Sequence, residues 1–335
     1  MVTAHESLNK QLMEKKIMRS RINDREISVL YLIRIIVTAV VVMTFGFGCS
    51  ESTAPKQKKY ATGEEAVSAF IKALRENNKE DLLSIFGHDA NDLISSGDEV
   101  ADSQGREMFV KSFDEQHRLD VQGDKQILIV GKNDWPFPIP IVKKDQQWFF
   151  DTSAGMEEIL NRRIGRNELN TIQVMLAIVD AEREYAMQGH DSNGLNVYAQ
   201  KFKSDPNKKN GLYWETKEGE EPSPLGLFAA KGKEEGYFGE KSSEGPQPYH
   251  GYFYRILTAQ GADANGGAFD YIVNGKMIGG FAVIAHPADY GNSGVMTFIV
   301  NHDGVVYQKD LGEDTEKEAL NIKLFDPDKT WANVQ

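Results

Sequence analysis

The apolar residues change their period along the chain, and this change restricts the fold more than any other feature of the sequence. From Met156 to Ala186 they recur at helical spacing, which predicts one long helix with a single break at Gly165. The stripe expected to face the core consists of Leu169, Ile172, Leu176 and Val179. After Gly251 the period falls to two, as in strands with one buried face. A long helix followed by such strands predicts an α+β fold.

Five segments with the two-residue period are predicted to be strands of an antiparallel sheet. They are Gly251 to Thr258, Ala268 to Asn274, Gly279 to Ala285, Met296 to Asn301 and Val305 to Lys309. The last two are joined at Asp303-Gly304, a dipeptide that accommodates positive φ and predicts a tight hairpin. Residues 189–248 are polar and glycine-rich, which predicts a long surface excursion. Residues 156–311 therefore form one predicted domain, and residues 312–335 a C-terminal strap.

A different pattern precedes the long helix. Thr62 and Glu65 have the spacing of a capping box, and apolar residues at helical spacing follow them. A second helix is predicted directly after the first. Three short β-like runs come next: Ile127 to Gly131, Ile139 to Val142 and Gln147 to Asp151. A helix pair followed by a bent sheet resembles the nuclear-transport-factor-like and cystatin-like α+β folds, so residues 61–155 are predicted to form a first domain of this kind.

The N-terminus carries an apolar run that ends at the only cysteine of the chain. Residues 35–48 contain no charge, follow four arginines and end in small residues before Cys49, as secretory signals do. The run is shorter than the roughly 20 residues of a membrane-spanning helix. Residues 1–48 are thus predicted to be a signal segment and Cys49 the lipidated residue of a lipobox. A signal anchor and a lone cysteine without a role are the alternatives, and translation starts at Met1 or Met18.

Cysteine content and charge exclude several classes of function. With one cysteine the chain forms no intramolecular disulfide and offers no thiolate cluster to zinc or iron–sulfur. The first 48 residues take away seven of the 38 basic and four of the 50 acidic side chains, which leaves a formal charge of −15. Such a surface repels nucleic acid. Residues 49–60 lack apolar periodicity and are predicted to be a tether.

Two long segments carry a family pattern: PYHGYFYRILTAQG at residues 248–261 and GGFAVIAHPADYGNSGVMTFIVNHDGVVYQKDLG at residues 279–312. Upstream, NTIQVMLAIVDAEREYA and KNGLYWE follow the same pattern. In these segments the sequence resembles an uncharacterised family of bacterial envelope proteins that is defined by a domain of unknown function, DUF2950. The resemblance implies no activity.

The second predicted domain has a helix with Asn167 and Glu168, Tyr185 near the end of that helix, a Gly-Tyr-x-aromatic strand and an Asp-Gly hairpin. This order resembles the globular heads of type IV pilins and pseudopilins. A pilin has a cleavable leader and an apolar half-helix directly before this helix, whereas here the first domain stands in that place. The resemblance implies a pilin-like head and does not imply assembly into a fibre.

Motifs that fix catalytic residues are missing from the sequence: the zinc-hydrolase spacing, phosphate loops, the dinucleotide fingerprint and the nucleophile elbow. His250 and His286 lie near strand ends of one predicted sheet and are candidates for a shared ligand or metal site, or else ordinary hydrogen-bonded histidines. Asp263 and Asn265 alternate before a glycine, as at the start of many calcium loops, although the later bidentate acid is absent. Calcium is the one cofactor that the sequence suggests.

Aromatic residues are concentrated in the first predicted domain. Trp135, Trp148 and Phe150 are candidates for lining a pocket there, with an ordinary core as the alternative. We expect a non-catalytic protein of the cell envelope, attached to the membrane on the periplasmic side, that binds other envelope components. The alternative is a small-molecule-binding protein, or an enzyme of unrecognised type, that uses a pocket in the first domain.

Overall fold

Four helices and a five-stranded sheet come first along the chain in the computed structural model, which describes residues 57–188, 194–217, 219–237 and 247–334. The predicted signal segment, Cys49 and most of the predicted tether lie outside these ranges. All the described residues belong to one unit, Pro55–Gln335. None of the helices in the described ranges combines the length and the apolar character that crossing a membrane requires.

Four helices precede the first sheet, and the first of them begins with a capping box. They are α1 (Gly63–Arg75), α2 (Lys79–Phe86), α3 (Asn91–Ile94) and α4 (Glu99–Glu115). At the start of α1, the Thr62 hydroxyl accepts a hydrogen bond from the Glu65 backbone N–H at 3.1 Å. The Glu65 carboxylate in turn accepts from the Ala61 backbone N–H at 3.0 Å. These two bonds confirm the predicted N-terminal cap.

The first sheet is antiparallel, with the order β1-β2-β4-β5 and with β3 paired to β2. Its strands are β1 (His117–Gln122), β2 (Lys125–Val130), β3 (Trp135–Pro136), β4 (Ile141–Lys144) and β5 (Gln147–Phe150). Leu128 and Val130 of β2 are buried in the first apolar core, to which α1 and α2 also contribute, and β2 contacts α4. This arrangement agrees with the predicted order of a helix pair followed by a sheet.

Two elements of this part are not predicted by the pattern of apolar residues. Helix α4 has 17 residues, of which only Phe113 is buried, so it shows no apolar stripe. Its N-terminal cap is Asp98, whose carboxylate accepts from the Ala101 backbone N–H at 3.0 Å. Strand β1 is exposed along almost its whole length, and it is held by pairing with β2. Caps and strand pairing therefore specify elements that hydrophobic periodicity does not reveal.

Helix α5 spans Met156–Met187, which confirms the predicted long helix. The predicted break at Gly165 is wrong, because the helix continues through it. The predicted stripe is also rotated from the true one, since Leu169 is 66% exposed. The buried apolar residues of α5 are Val174, Met175, Ile178, Val179, Ala181, Tyr185 and Ala186. The same buried face also carries the polar residues Asn167, Thr171 and Glu182. Because they are polar, the spacing of apolar residues does not reveal that they are buried.

The second sheet has the order β14-β13-β12-β11-β6, and each strand is antiparallel to its neighbour. Its longer strands are β6 (Tyr252–Leu257), β11 (Ala282–Pro287), β12 (Met296–Asn301) and β13 (Val306–Asp310). The predicted hairpin is confirmed: Val300 pairs with Val306, and Gly304 in the turn has a φ of +82° that favours glycine. Strand β11 is buried throughout and contacts α5.

The predicted strand from Ala268 to Asn274 is wrong as one continuous strand. The segment instead contributes to two small ribbons, in which β8 pairs with β7 and β9 with β10. These strands are β7 (Ala259–Gln260), β8 (Phe269–Asp270), β9 (Ile272–Val273) and β10 (Lys276–Met277). Asn274 and Gly275 both have positive φ and close the second ribbon, as in a tight hairpin turn.

The C-terminal strap is anchored to the second sheet. Helix α7 (Thr315–Asn321) buries Ala319, and β14 (Ala332–Asn333) pairs with β13. Phe325 between them is only 2% exposed. Within the predicted surface excursion the structure places one further helix, α6 (Gly226–Glu234).

Polar side chains join the first core, built on α1–α4 and the first sheet, to the second core, built on α5 and the second sheet. The second carboxylate oxygen of Asp98 accepts from the Tyr237 hydroxyl and from the Gly251 backbone N–H, both at 2.8 Å. Within the second core, Glu168 on α5 accepts from the backbone N–H groups of Val295 and Met296, both at 3.0 Å. The charge-assisted bonds of Asp98 fix the loop before α4 to the second core.

Candidate functional site

A pocket of about 430 Å³ lies against the first core, between α1, α2, α3, α4, β3 and the first turns of α5. Its apolar lining consists of Phe70, Leu74, Leu82, Phe86, Leu93, Ile94, Ala101, Phe109, Trp135, Phe137 and Ile159. Gly105 on α4 also faces it, and no atom lies within 4 Å of the position that a Cβ would take there. The described side chains therefore leave this space open.

Aromatic rings form a continuous wall of this pocket. Phe70 stacks on Phe137 with 5.3 Å between the ring centroids, and Phe109 lies 5.4 Å from each of them. Trp135 extends the wall, with its ring edge-on to Phe109 at 6.1 Å. Aromatic pairs at these separations and tilts are attractive beyond their buried area, so the wall is a defined surface.

Two arginines are fixed at the pocket by carbonyl groups of the short helix α3. Arg106 on α4 donates to the Ile94 carbonyl at 3.0 Å. Arg163 on α5 donates to the Asp92 carbonyl at 2.6 Å and the Leu93 carbonyl at 2.7 Å. Carbonyls at the end of a helix lack intrahelical partners, and the guanidinium donors satisfy them. These bonds orient both guanidinium groups without neutralising their charge.

Arg163 also ties the pocket to the second core. One of its terminal nitrogens donates to the Asn292 side-chain carbonyl, and the Asn292 amide donates to the Ser95 carbonyl at 2.8 Å. Burial lowers the pKa of the Arg163 guanidinium. The negative charge of Asp102 opposes this shift, as do those of Asp92 and Asp289, whereas the positive charge of Arg166 adds to it. An arginine remains protonated in proteins, so this site keeps a buried positive charge.

Two more arginines complete the lining, both on α5. Arg162 donates to the Glu158 carboxylate at 2.6 Å, and its guanidinium carbon lies 5.5 Å from the centre of the Trp135 ring. Arg166 is exposed and forms no ion pair with any residue that the structure describes. Four arginines therefore surround an apolar pocket in a chain whose formal charge is −12.

Asp102 is the only carboxylate among the described residues that line the pocket. Its two oxygens accept from the backbone N–H and the hydroxyl of Ser96, at 2.9 and 2.8 Å. Asp102 therefore fixes the loop before α4 instead of pairing with an arginine. The lining therefore holds four arginines and one carboxylate, while Glu158 pairs with Arg162 and the charges of Asp92 and Asp289 act on Arg163 from outside the lining.

The predicted pocket aromatics divide between lining and core. Trp135 lines the pocket. Phe150 is fully buried in the first core, where it contacts Phe70 and Phe86, and it does not line the pocket. Trp148 is half-buried, and its backbone pairs with Tyr60 at the sheet edge.

His250 and His286 have separate surroundings. The Nε2 of His250 lies 3.8 Å from the Glu235 carboxylate, in the turn before β6. His286 is buried on β11, where its Nδ1 lies 3.1 Å from the Pro287 carbonyl oxygen. Burial lowers the pKa of both imidazoles. Within the described ranges they share no hydrogen-bond partner, and a joint site stays a prediction.

Asp263 and Asn265 lie in the loop between β7 and β8. The Asp263 backbone N–H donates to the Asp326 carboxylate at 2.8 Å, and the Asn265 carbonyl accepts from the Gln260 amide at 2.8 Å. In the part of the chain that the structure describes, no three His, Cys, Asp or Glu side chains approach closely enough to hold a metal ion. Calcium binding by this loop stays a prediction.

A second pocket, of about 380 Å³, lies in the second core between α5, α6 and β6. Its rim carries charges of both signs. Lys233 donates to the Tyr213 hydroxyl at 3.0 Å and lies 4.0 Å from the Glu215 carboxylate. The hydrogen bond to Tyr213 raises the pKa of Lys233. Lys203 and Lys233 contribute positive charge and Glu215 negative charge, so the lining of this pocket carries both signs.

The four arginines of the first pocket were not among the residues singled out from the sequence. The segment NRRIGR contains Arg162, Arg163 and Arg166, and helical spacing places the first and last of these one turn apart. This group of arginines on one predicted helix was the feature of the sequence that could have indicated a positively charged site. Its position beside the first core depends on the bonds from α5 to α3 and to the β11–β12 loop, which no local pattern reveals.

The chain shows no significant similarity to a curated protein or to a solved structure, so the likeness to pilin heads stays a prediction. A family model does match, over residues 57–334, which are all but the N-terminal segment and the last residue. This range contains both cores and every residue of the pocket. The chain thus belongs to the family described as protein of unknown function, DUF2950.

Proposed function

We propose that this protein is a binding protein of the cell envelope that takes a small, largely apolar molecule into the pocket of the first core. The observation that carries the proposal is the aromatic wall of Phe70, Phe109, Trp135 and Phe137 around an open space of about 430 Å³. Pockets that bind small molecules have volumes of about 300–1,000 Å³ and mostly apolar linings.

Phe70 and Phe137 are buried, but Phe109 and Trp135 are only partly buried, and their apolar surface that stays open to water is costly for the fold. Each Å² of apolar surface that stays in contact with water forgoes about 25 cal/mol of stabilisation. A Cβ added at Gly105 would have no atom within 4 Å, so a larger side chain there would start in open space at the pocket. An unfilled pocket that one substitution could close is expected where the space itself is used.

The chemistry of the lining supports binding over catalysis. Among the described lining residues there is one carboxylate, Asp102, and both of its oxygens are engaged by Ser96. The histidines of the first core are elsewhere: His117 stacks on Phe113 with 3.6 Å between the ring centroids. General acid–base catalysis needs a titratable group within reach of the bound molecule.

The envelope location rests on the N-terminal sequence. Residues 1–48 have the build of a secretory signal, and lipidation of Cys49 would tether the folded unit to a membrane through residues 50–56, because Gln57, Lys58 and Tyr60 are already bonded to the first core. Other envelope proteins remain the proposed macromolecular partners. Binding of nucleic acid is not proposed, because the processed chain is strongly acidic.

Filling the pocket tests the proposal. Gly105→Leu places a side chain in the pocket, and Gly165→Leu is the matched control, because Gly165 is also helical, also has free space around its Cβ position and does not line the pocket. Both full-length variants and the wild-type chain are placed in lipid nanodiscs and titrated with 4-phenyl-1-butanol, with empty nanodiscs as reference. We expect saturable binding to the wild-type chain and to Gly165→Leu, and its loss in Gly105→Leu. Equal binding by all three, or by none, would contradict the proposed function.

A further inference from the structure

Three of the four arginines at the pocket form no ion pair with a described residue, and only Arg162 is paired, with Glu158. Arg106 and Arg163 donate to backbone carbonyls, and Arg166 has no ion pair among the described residues. Elsewhere in the same core exposed arginines are paired, as Arg75 is with Asp114 and Arg118 with Asp134. The absence of pairing is therefore particular to the pocket and is not a general feature of this surface.

Arg106 has an unused donor. Its Nε is buried and has no hydrogen-bond partner among the residues that the structure describes, while another nitrogen of the same group donates to Ile94. A buried donor without a partner is costly, and a buried guanidinium donor more so. An acceptor supplied by a bound molecule would remove this cost.

The tail and the charge of a ligand would be received by different parts of the pocket. The aromatic wall lies between α1, α4 and β3, whereas three of the arginines come from α5 on another side. Arginine forms short, charge-assisted bonds with carboxylate and phosphate, often two at a time. A hydrocarbon or aromatic group gains by leaving water for the aromatic wall.

We propose that the ligand of this pocket is an amphipathic anion, in which a single carboxylate or phosphate group faces Arg106, Arg163 and Arg166 while an apolar tail contacts the Phe70–Phe137 wall. This inference rests on the proposed function, since it names the class of molecule that the pocket takes. Arg162 contributes less to the charge, because Glu158 already pairs with it.

The test compares head groups on one tail. The full-length chain in lipid nanodiscs is titrated calorimetrically with 4-phenylbutyrate, 4-phenylbutyl phosphate, 4-phenyl-1-butanol and 4-phenylbutylamine, with inorganic phosphate as a head without a tail. We expect both anions to bind at least about tenfold more tightly than the alcohol, as hydrogen bonds to charged groups allow. The amine, which is a cation, and inorganic phosphate should bind more weakly than the alcohol or not at all.

Two variants locate the effect. Arg166→Gln removes an exposed charge that forms no side-chain hydrogen bond or ion pair with a described residue, and we expect it to weaken binding of the anions by about two- to fivefold while leaving binding of the alcohol unchanged. Arg118→Gln is the control, because Arg118 is an exposed arginine of the same core that does not line this pocket. Raising the salt concentration should reduce the preference for anions, since exposed charges are screened.

The outcomes separate the two proposals. Equal affinity for the alcohol and the anions, with binding still abolished by Gly105→Leu, would overturn the anion inference and leave the proposed function in place. Preference for the amine would overturn it too. No saturable binding of any compound would overturn both. A preference for phosphate over carboxylate, or the reverse, supports the inference and identifies the head group.

Discussion

Glu182 gives the strongest test of how the second core is stabilised. Its side chain is fully buried on α5, one carboxylate oxygen accepts from the Ala199 backbone N–H at 2.8 Å, and the other has no hydrogen-bond partner among the described residues. Burial raises the pKa of this carboxyl to about 8, although the bond from Ala199 opposes the shift. The folded protein therefore keeps a proton on Glu182 that the unfolded chain releases at a much lower pH.

The sign of the pH dependence follows from this difference. The pKa is higher in the folded state, so the stabilisation is complete below the unfolded value of 4.5 and is lost as the pH rises through about 8. One pKa unit corresponds to about 1.4 kcal/mol. Between about pH 6 and about pH 9 the ionisation of Glu182 should therefore remove roughly 3 kcal/mol from the free energy of unfolding.

The substitution Glu182→Gln isolates this effect. Glutamine keeps an oxygen that accepts from the Ala199 N–H but cannot ionise. Over the same pH interval, the free energy of unfolding of the variant should therefore fall by roughly 3 kcal/mol less than that of the wild-type chain. The free energy of unfolding is measured by urea denaturation of the full-length chain at both pH values. Glu184→Gln, on the exposed face of the same helix, is the control and should follow the wild-type chain. If the free energy of unfolding depends on pH in the same way for Glu182→Gln and the wild-type chain, Glu182 is not protonated in the folded state at about pH 6 and the reasoning is wrong.

Three further predictions concern other parts of the chain. Asp98→Asn should lower the free energy of unfolding by about 2 kcal/mol in urea denaturation, because it weakens charge-assisted bonds between the two cores. Gly155→Ala should lower it by about 1–3 kcal/mol, because the new Cβ would lie 2.4 Å from the Pro138 carbonyl oxygen, whereas Gly165→Ala should raise it by about 1 kcal/mol. Cys49→Ala should abolish incorporation of alkyne-palmitate in cells, and labelling that persists would exclude lipidation at this residue.

The sequence predicts elements whose signals are local. The capping box at Thr62, the length of α5 and the hairpin at Asp303-Gly304 each depend on a few neighbouring residues, and the structure confirms all three. Helix α4 and strand β1 are missed, because a cap at Asp98 and pairing with β2 specify them and neither buries an apolar stripe. Hydrophobic periodicity does not predict elements that are specified by contacts with distant parts of the chain.

The candidate site could be predicted only in part. An aromatic pocket in the first domain is among the sequence hypotheses, and Trp135 lines the pocket that the structure contains. The arginines could not be assigned to it, because Arg163 reaches the pocket through bonds to Asp92 and Leu93, about 70 positions earlier in the chain. Contacts between residues so far apart depend on the packing of α5 and leave no mark on the local pattern.

The continuity of α5 through Gly165 changes what counts as a functional segment of this protein. The predicted domain of residues 61–155 contains the aromatic wall of the pocket but only one of its four arginines. The other three lie on the first turns of the helix whose later turns form the second core. A fragment that ends at residue 155 would therefore keep the apolar part of the pocket and lose three of its four arginines. Recombination or truncation at the predicted domain boundary would thus divide the binding site.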